Sequence, residues 1–323
     1  MAAQEKPKVI PVDLFVRDEL YPGYTQAFGA RPFVVGPVRP FSKADNASYW
    51  LRDSLHFSAG MVPASTAPRK LGAVGWDVLP VYEVQRPLND TESIWDYASE
   101  YRFPRARTDR RPKIRLPGPY GVTTELDFSP VYRNRRDCGE ALVPAIRRDI
   151  QDPVAAGCDY IQIEEPLTPS RAAEDRTAEN LVDLVNKVVD GVSGCTFVVH
   201  ICFGSFRRLP YAKRTYRWLS PALLDANVHG FSVEFDAREI AEIDLVGKWD
   251  RERVLSAGLI DIKTHYCETL EDIIERVRTC LEYRDLERLE ISTDYGLRRV
   301  PRYLTISKMS AAAEAARRLR ASG

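Results

Sequence analysis

The chain has no excess of charge of either sign: among its 323 residues, 46 Lys and Arg balance 46 Asp and Glu. No net field therefore draws it to nucleic acid or to an anionic membrane. It also has no apolar run long enough to span a bilayer, and its opening stretch, MAAQEKPKVIPVDLF, has no apolar core of signal-peptide length. A cytoplasmic location is the expectation. Six cysteines are scattered along the chain, too far apart for a disulfide framework, and in a reducing compartment they are expected as free thiols or ligands. No internal repeat, low-complexity tract or interdomain linker is visible. No strand-like run is followed by a dinucleotide-type glycine fingerprint, which argues against an open doubly wound sheet.

What is present fits a soluble globular protein, with 44% hydrophobic and 28% charged residues. The length suits two ordinary domains or one large barrel. Arginines cluster over 102–115 and 133–148, where solvated loops and helix faces account for them better than an anionic-ligand patch.

From about residue 110 short apolar runs alternate with longer amphipathic stretches, the pattern of repeated βα units. KIRLP (113–117), DYIQIEEP (159–166), TFVVHICF (196–203), GFSVEF (230–235), LIDIK (259–263) and RLEIST (288–293) read as strands. Rich in Ile and Val and not strictly alternating, they suit parallel strands covered by helices. In TLEDIIERVRTCLEYRD, Leu270, Ile273, Val277 and Leu281 recur at helical spacing behind a Thr269/Asp272 capping pair. Weaker strand candidates at 32–38 and 72–84 bring the count to eight. Eight such units close most economically as a single-domain α/β fold, a (β/α)8 TIM barrel. Residues 1–30 would form an N-terminal extension, and 42–112 divergent loops or a small subdomain.

Catalytic groups in such barrels sit at the C-terminal ends of strands, where the following loops share one mouth. Those positions here hold Glu164, Glu165, His200, Cys202, Glu234, Lys263, Asp294 and Tyr295. His200 and Cys202 have strand spacing and so share one face of the sheet. Imidazole and thiolate are preferred zinc ligands, and Glu234 from the next strand would make a third; the plainer reading is two polar residues in a buried sheet.

Taken in order, DYIQIEEP, VVHICFGSF, GLIDIKTHYCETLEDIIERV and LEISTDYGLRRVPR resemble the catalytic-domain family of cobalamin-independent methionine synthase, particularly its short single-barrel relatives. KIRLPGPYGVTTE is similar to the family's segment before the central helices. The resemblance implies a barrel that holds zinc through a histidine and a cysteine of an HxC motif, a glutamate from the next strand and the cysteine of a DCG motif. There the metal lowers the pKa of a substrate thiol, which takes a methyl group from methyltetrahydrofolate. Carried over by position, His200, Cys202 and Glu234 are the implied metal ligands.

The departures are informative. Asp294-Tyr295-Gly296 puts a phenol where the family has the fourth, thiolate ligand; Tyr295 either ligates as a phenolate or stands back for water or substrate. Glu164 replaces the family's aspartate for the homocysteine amino group. Lys263 stands where the long enzymes place a histidine, although lysine is usual in the short relatives, and would act as a proton donor or anion clamp. The N-terminal third lacks the family's homocysteine motif, with VVGPVRP where relatives carry a VGSFPRP-like stretch.

The expectation is thus a zinc-dependent methyl or alkyl transferase acting on a thiol or similar soft acceptor other than homocysteine. Lys263, Asp294 and Tyr295 would serve the chemistry, Glu164 and Glu165 would orient a cationic substrate group, and a methyltetrahydrofolate-type molecule would be the donor. A small-molecule substrate is expected, with no nucleic-acid or membrane partner; a homo-oligomer is left open. Two alternatives stand beside it: a metal-dependent hydrolase or lyase with an open coordination position, and a barrel retained only for binding. Cys267 and His265 are lesser candidates at the mouth. Cys138, Cys158, Cys195 and Cys280 read as packing residues, and Trp50, Trp76 and Trp95 as core rather than as cover for a flat substrate.

Overall fold

The computed structural model describes residues 61–63, 69–71, 76–78, 82–84, 87–88 and, from 96 to 322, all but 125, 130, 167, 172–175, 204–212, 236–239 and 298–299. The expected extension at 1–30, the strand at 32–38, Trp50 and Trp95 lie outside these residues.

Six strands form one parallel sheet. Numbered in chain order after β1 (Met61–Pro63), β2 (Arg69–Leu71), β3 (Trp76–Val78) and β4 (Tyr82–Val84), they are β5 (Ile114–Pro117), β7 (Tyr160–Glu164), β8 (Thr196–Ile201), β9 (Gly230–Glu234), β10 (Val254–Ile260) and β11 (Leu289–Thr293). Their spatial order, β11-β10-β9-β8-β7-β5, is the chain order reversed, as successive crossovers of one hand require. All five residues of β7 and of β9 are buried, which explains the continuous apolar runs: helices cover one face and the fold's interior the other. The covering helices include Arg135–Ala155, Thr177–Val189, Leu270–Leu281 and Arg302–Ser322. The helix at Leu270 starts where its sequence signals it, with a reciprocal Thr269/Asp272 capping box, and it buries Ile273 and Val277.

Parallel register puts paired residues on the same face. Glu164 lies beside His200, His200 beside Ser232, and Glu234 beside Gly258. The sheet curls around this face. Tyr160 on β7 donates a 2.6 Å hydrogen bond to Glu290 on β11, four strands away in the sheet. Lys113, just before β5, lies 4.0 Å from the same carboxylate, so groups at the two edge strands meet across the interior. That curvature is the barrel's.

Three expectations need correction. The single strand at 72–84 is two: β3 pairs antiparallel with β2, and β4 joins a small sheet with β1 and β6 (Leu126–Asp127). Part of the stretch expected as divergent loops or a small subdomain is a helix, Tyr97–Arg105, capped by Asp96, which accepts from Ser99 N at 2.8 Å. The strand sought at 259–263 runs instead over β10 and ends at Ile260, leaving Lys263 in the loop beyond. The small residues of VLSAGLI hid its beginning. They are needed: a Cβ on Gly258 would come within 2.7 Å of Asp294 Cα and 2.9 Å of Val233 O, so glycine lets the Asp294 loop lie directly over β10.

Candidate active site at the strand ends

Two polar clusters form where the strands end. In the first, Glu164 Oε2 meets His200 Nδ1 at 2.6 Å, and Gln162 donates to Glu164 Oε1 at 2.5 Å. Gln162 was not singled out from sequence, although its place two residues before Glu164 puts it on the same face. Cys202, fully buried, hydrogen-bonds His200, and its Sγ lies 3.9 Å from Pro166 O. Burial alone would push His200 toward neutrality; the Glu164 carboxylate and the Cys202 sulfur outweigh it and hold the imidazole well above its usual pKa. Glu164 is held below its usual range in turn: burial opposes ionisation, but His200 more than offsets it.

In the second cluster Lys263 Nζ lies 2.7 Å from Asp294 Oδ2 and 2.9 Å from Glu234 Oε1, the latter off hydrogen-bonding geometry. Glu234 Oε2 accepts weakly from Phe203 N at 3.4 Å, and Asp294 Oδ1 accepts from Ile262 N at 2.9 Å. Neither carboxylate side chain is exposed, and Lys263 is 7% exposed. Burial alone would lower the lysine; Asp294 and Glu234 keep it charged, above its ordinary pKa. One ammonium serves two buried carboxylates, so burial, with Glu234 adding repulsion, raises Asp294 to about 7 despite Lys263. Tyr295, half-buried against Ile262, Leu297, Val300, Leu304 and Met309, carries its ring 6.5 Å from that of His200.

Glu165 does not join them. The next residue along from inward-facing Glu164, it points to the other side of the chain and accepts from Tyr120 N at 3.1 Å and from Gly121 N, at the start of the short helix Pro119–Thr123. A side chain at Gly118 would collide with this carboxylate. Its expected role in substrate binding is therefore corrected to holding that helix. Burial pushes its pKa up to about 8, against the pull of the two N–H groups. A carboxyl raised on folding binds its proton more tightly in the native state, so the stability it contributes is full below about 4.5 and is lost as pH rises toward 8. Urea unfolding of wild type and Glu165→Gln should therefore diverge over that window, with the wild type losing stability relative to the variant as pH increases. Parallel curves would refute the assignment.

The zinc centre implied by the resemblance does not fit this arrangement. His200 is the penultimate residue of β8 and Cys202 lies just beyond its end, but Glu234 is held by Lys263. Among the described residues no group of three His, Cys, Asp or Glu is placed to hold a metal ion. His265 and Cys267 lie exposed on the loop after β10. Cys138, Cys158, Cys195 and Cys280 are buried, and burial raises their thiols to about 11 or 12, as expected of packing residues.

A curled six-stranded parallel sheet with ionisable groups gathered at its C-terminal rim is the arrangement found in α/β-barrels. The sequence profile of the family described as "Cobalamin-independent synthase, Catalytic domain" matches residues 83–318. The chain belongs to that family. The methionine synthase of Saccharolobus islandicus (strain Y.G.57.14) is 30% identical over 197 residues, 61% of this chain and 55% of the relative. That of Sulfolobus acidocaldarius is 28% identical over 61% of this chain and 53% of its own length. The chain thus spans about half the length of the curated relatives it matches. Among solved structures, a B12-independent methionine synthase from Shewanella sp. W3-18-1, in complex with selenomethionine, superposes with a TM-score of 0.70 at 23% identity, covering 81% of this chain and 76% of that one. A putative B12-independent methionine synthase from Listeria monocytogenes gives 0.53 at 16% identity over 74% and 73%. These likenesses show the TIM-barrel-like α/β fold.

Among the described residues no helix is long and apolar enough to cross a membrane.

Proposed function

We propose that the chain transfers a methyl or other alkyl group between a donor and a thiol or similarly soft acceptor other than homocysteine. Family membership supports the reaction class. The observation that carries the reading is the pair of oppositely poised clusters at one rim: an imidazolium held by Glu164, and Asp294 with a pKa near neutrality. A group-transfer reaction of this kind needs one site that takes a proton and another that gives one.

With a thiol acceptor, the S–H proton passes to the Asp294 carboxylate. The sulfur electron pair forms the new S–C bond. The carbon–donor bond breaks with its pair returning to the donor atom, which takes a proton from His200. Lys263 keeps the second cluster from accumulating two negative charges, and Gln162 fixes the Glu164 carboxylate that orients the imidazole. Glu164 is already paired with His200, so a cationic substrate group would have to compete for it. The reading therefore does not require an amino-acid acceptor.

The test is an assay of purified protein with methyltetrahydrofolate and other methyl donors against a panel of small thiols, following thioether formation by mass spectrometry. A thioether that appears in step with donor loss is expected. Donor consumption without any thiol, with oxygen incorporated from labelled water, would replace the reading by hydrolysis. Ligand binding without turnover of any donor would replace it by a binding role.

A further inference from the structure

We infer that Lys263 is the resident cation of this site, an ammonium standing where a divalent metal would otherwise bind Glu234. The first observation is geometric. Lys263 Nζ touches carboxylates from two elements, Glu234 at the end of β9 and Asp294 beyond β11, at 2.9 and 2.7 Å. A zinc ion bound to Glu234 Oε1 at an ordinary zinc–oxygen length of about 2.1 Å would sit no more than about 5 Å from that ammonium, inside a region where neither carboxylate is exposed. Like charges so close and so poorly solvated repel strongly.

The second observation is the state of the other donors. Nδ1 of His200 is taken by Glu164, and Cys202 is fully buried with its Sγ 3.9 Å from Pro166 O. Glu234 has its remaining oxygen turned to Phe203 N. The fourth position is a phenol in place of a thiolate: Tyr295, half-buried and packed against the cluster that includes Ile262, Leu297 and Val300. The third is the way the backbone makes room for the lysine. Asp294 is brought down over β10 by Gly258, and Asp261 Oδ1 accepts from Lys263 N at 2.6 Å, fixing the residue whose side chain fills the gap. A fixed positive charge facing the rim stabilises negative charge building on a leaving atom, with no ion that a chelator can remove.

The experiment reads metal rather than activity, so it succeeds or fails independently of the transfer reaction. Full-length wild type, Lys263→Met and Lys263→Gln are purified with zinc supplied. Their zinc content is measured, and zinc affinity is determined by competition with a chromophoric chelator. Wild type is expected to carry substoichiometric zinc. The variants, relieved of the ammonium, should bind one zinc at least about a hundredfold more tightly and lose it when Cys202→Ala is added. The glutamine variant keeps a hydrogen-bond donor for Asp294 should the methionine variant fail to fold. One zinc per chain in wild type, lost in Cys202→Ala, overturns the inference; so does a folded lysine variant that gains no metal.

Discussion

Lys308→Met is expected to lower the unfolding free energy by about 3–5 kcal/mol, the cost of stranding a buried charge. Lys308, on the helix Arg302–Ser322, is completely buried and donates to Glu268 Oε2 at 2.8 Å and to Tyr266 O. Glu268 is itself 1% exposed and accepts from Asp261 N at 2.9 Å through its other oxygen. The pair thus pins the loop that carries Lys263 to the final helix. Equilibrium urea unfolding measures the loss. Adding Glu268→Gln, which removes the stranded charge but keeps an acceptor for Asp261, should restore part of it. A loss below about 1 kcal/mol, the range of an exposed pair, would mean that the latch contributes little.

The second large effect is catalytic. His200→Ala should lower kcat/KM by about 10²–10⁴, the usual contribution of a positioned proton donor, with an unchanged near-ultraviolet spectrum. Glu164→Gln should act differently. Without the carboxylate, the imidazolium gives up its proton at lower pH, so the alkaline fall in activity should begin earlier than in wild type. Turnover within twofold of wild type in His200→Ala, or an unmoved profile in Glu164→Gln, would remove His200 from the chemistry.

Much of the fold could be read from the sequence because buried parallel strands and amphipathic helices leave periodic traces. DYIQIEEP, TFVVHICF and the capped helix at Leu270 are examples. VLSAGLI was misjudged at its start because its small residues serve close approach rather than apolar burial. The site was partly legible for the same reason. Strand parity places Glu164, His200 and Cys202 at one rim, and it also predicts that Glu165 faces away. What no local pattern announces is pairing across distance. Lys263 could be seen as a mouth residue, but its hold on both Glu234 and Asp294 depends on two loops meeting at the end of β9. Lys308 lies forty residues from Glu268 and reads as one more charged position on a helix.

At the opposite pole, Tyr160, Lys113 and Glu290 join beneath the reactive rim. Together they act as a stopper. Bonded polar groups thus fill the described interior at that pole, away from the rim where Glu164, His200 and Lys263 gather.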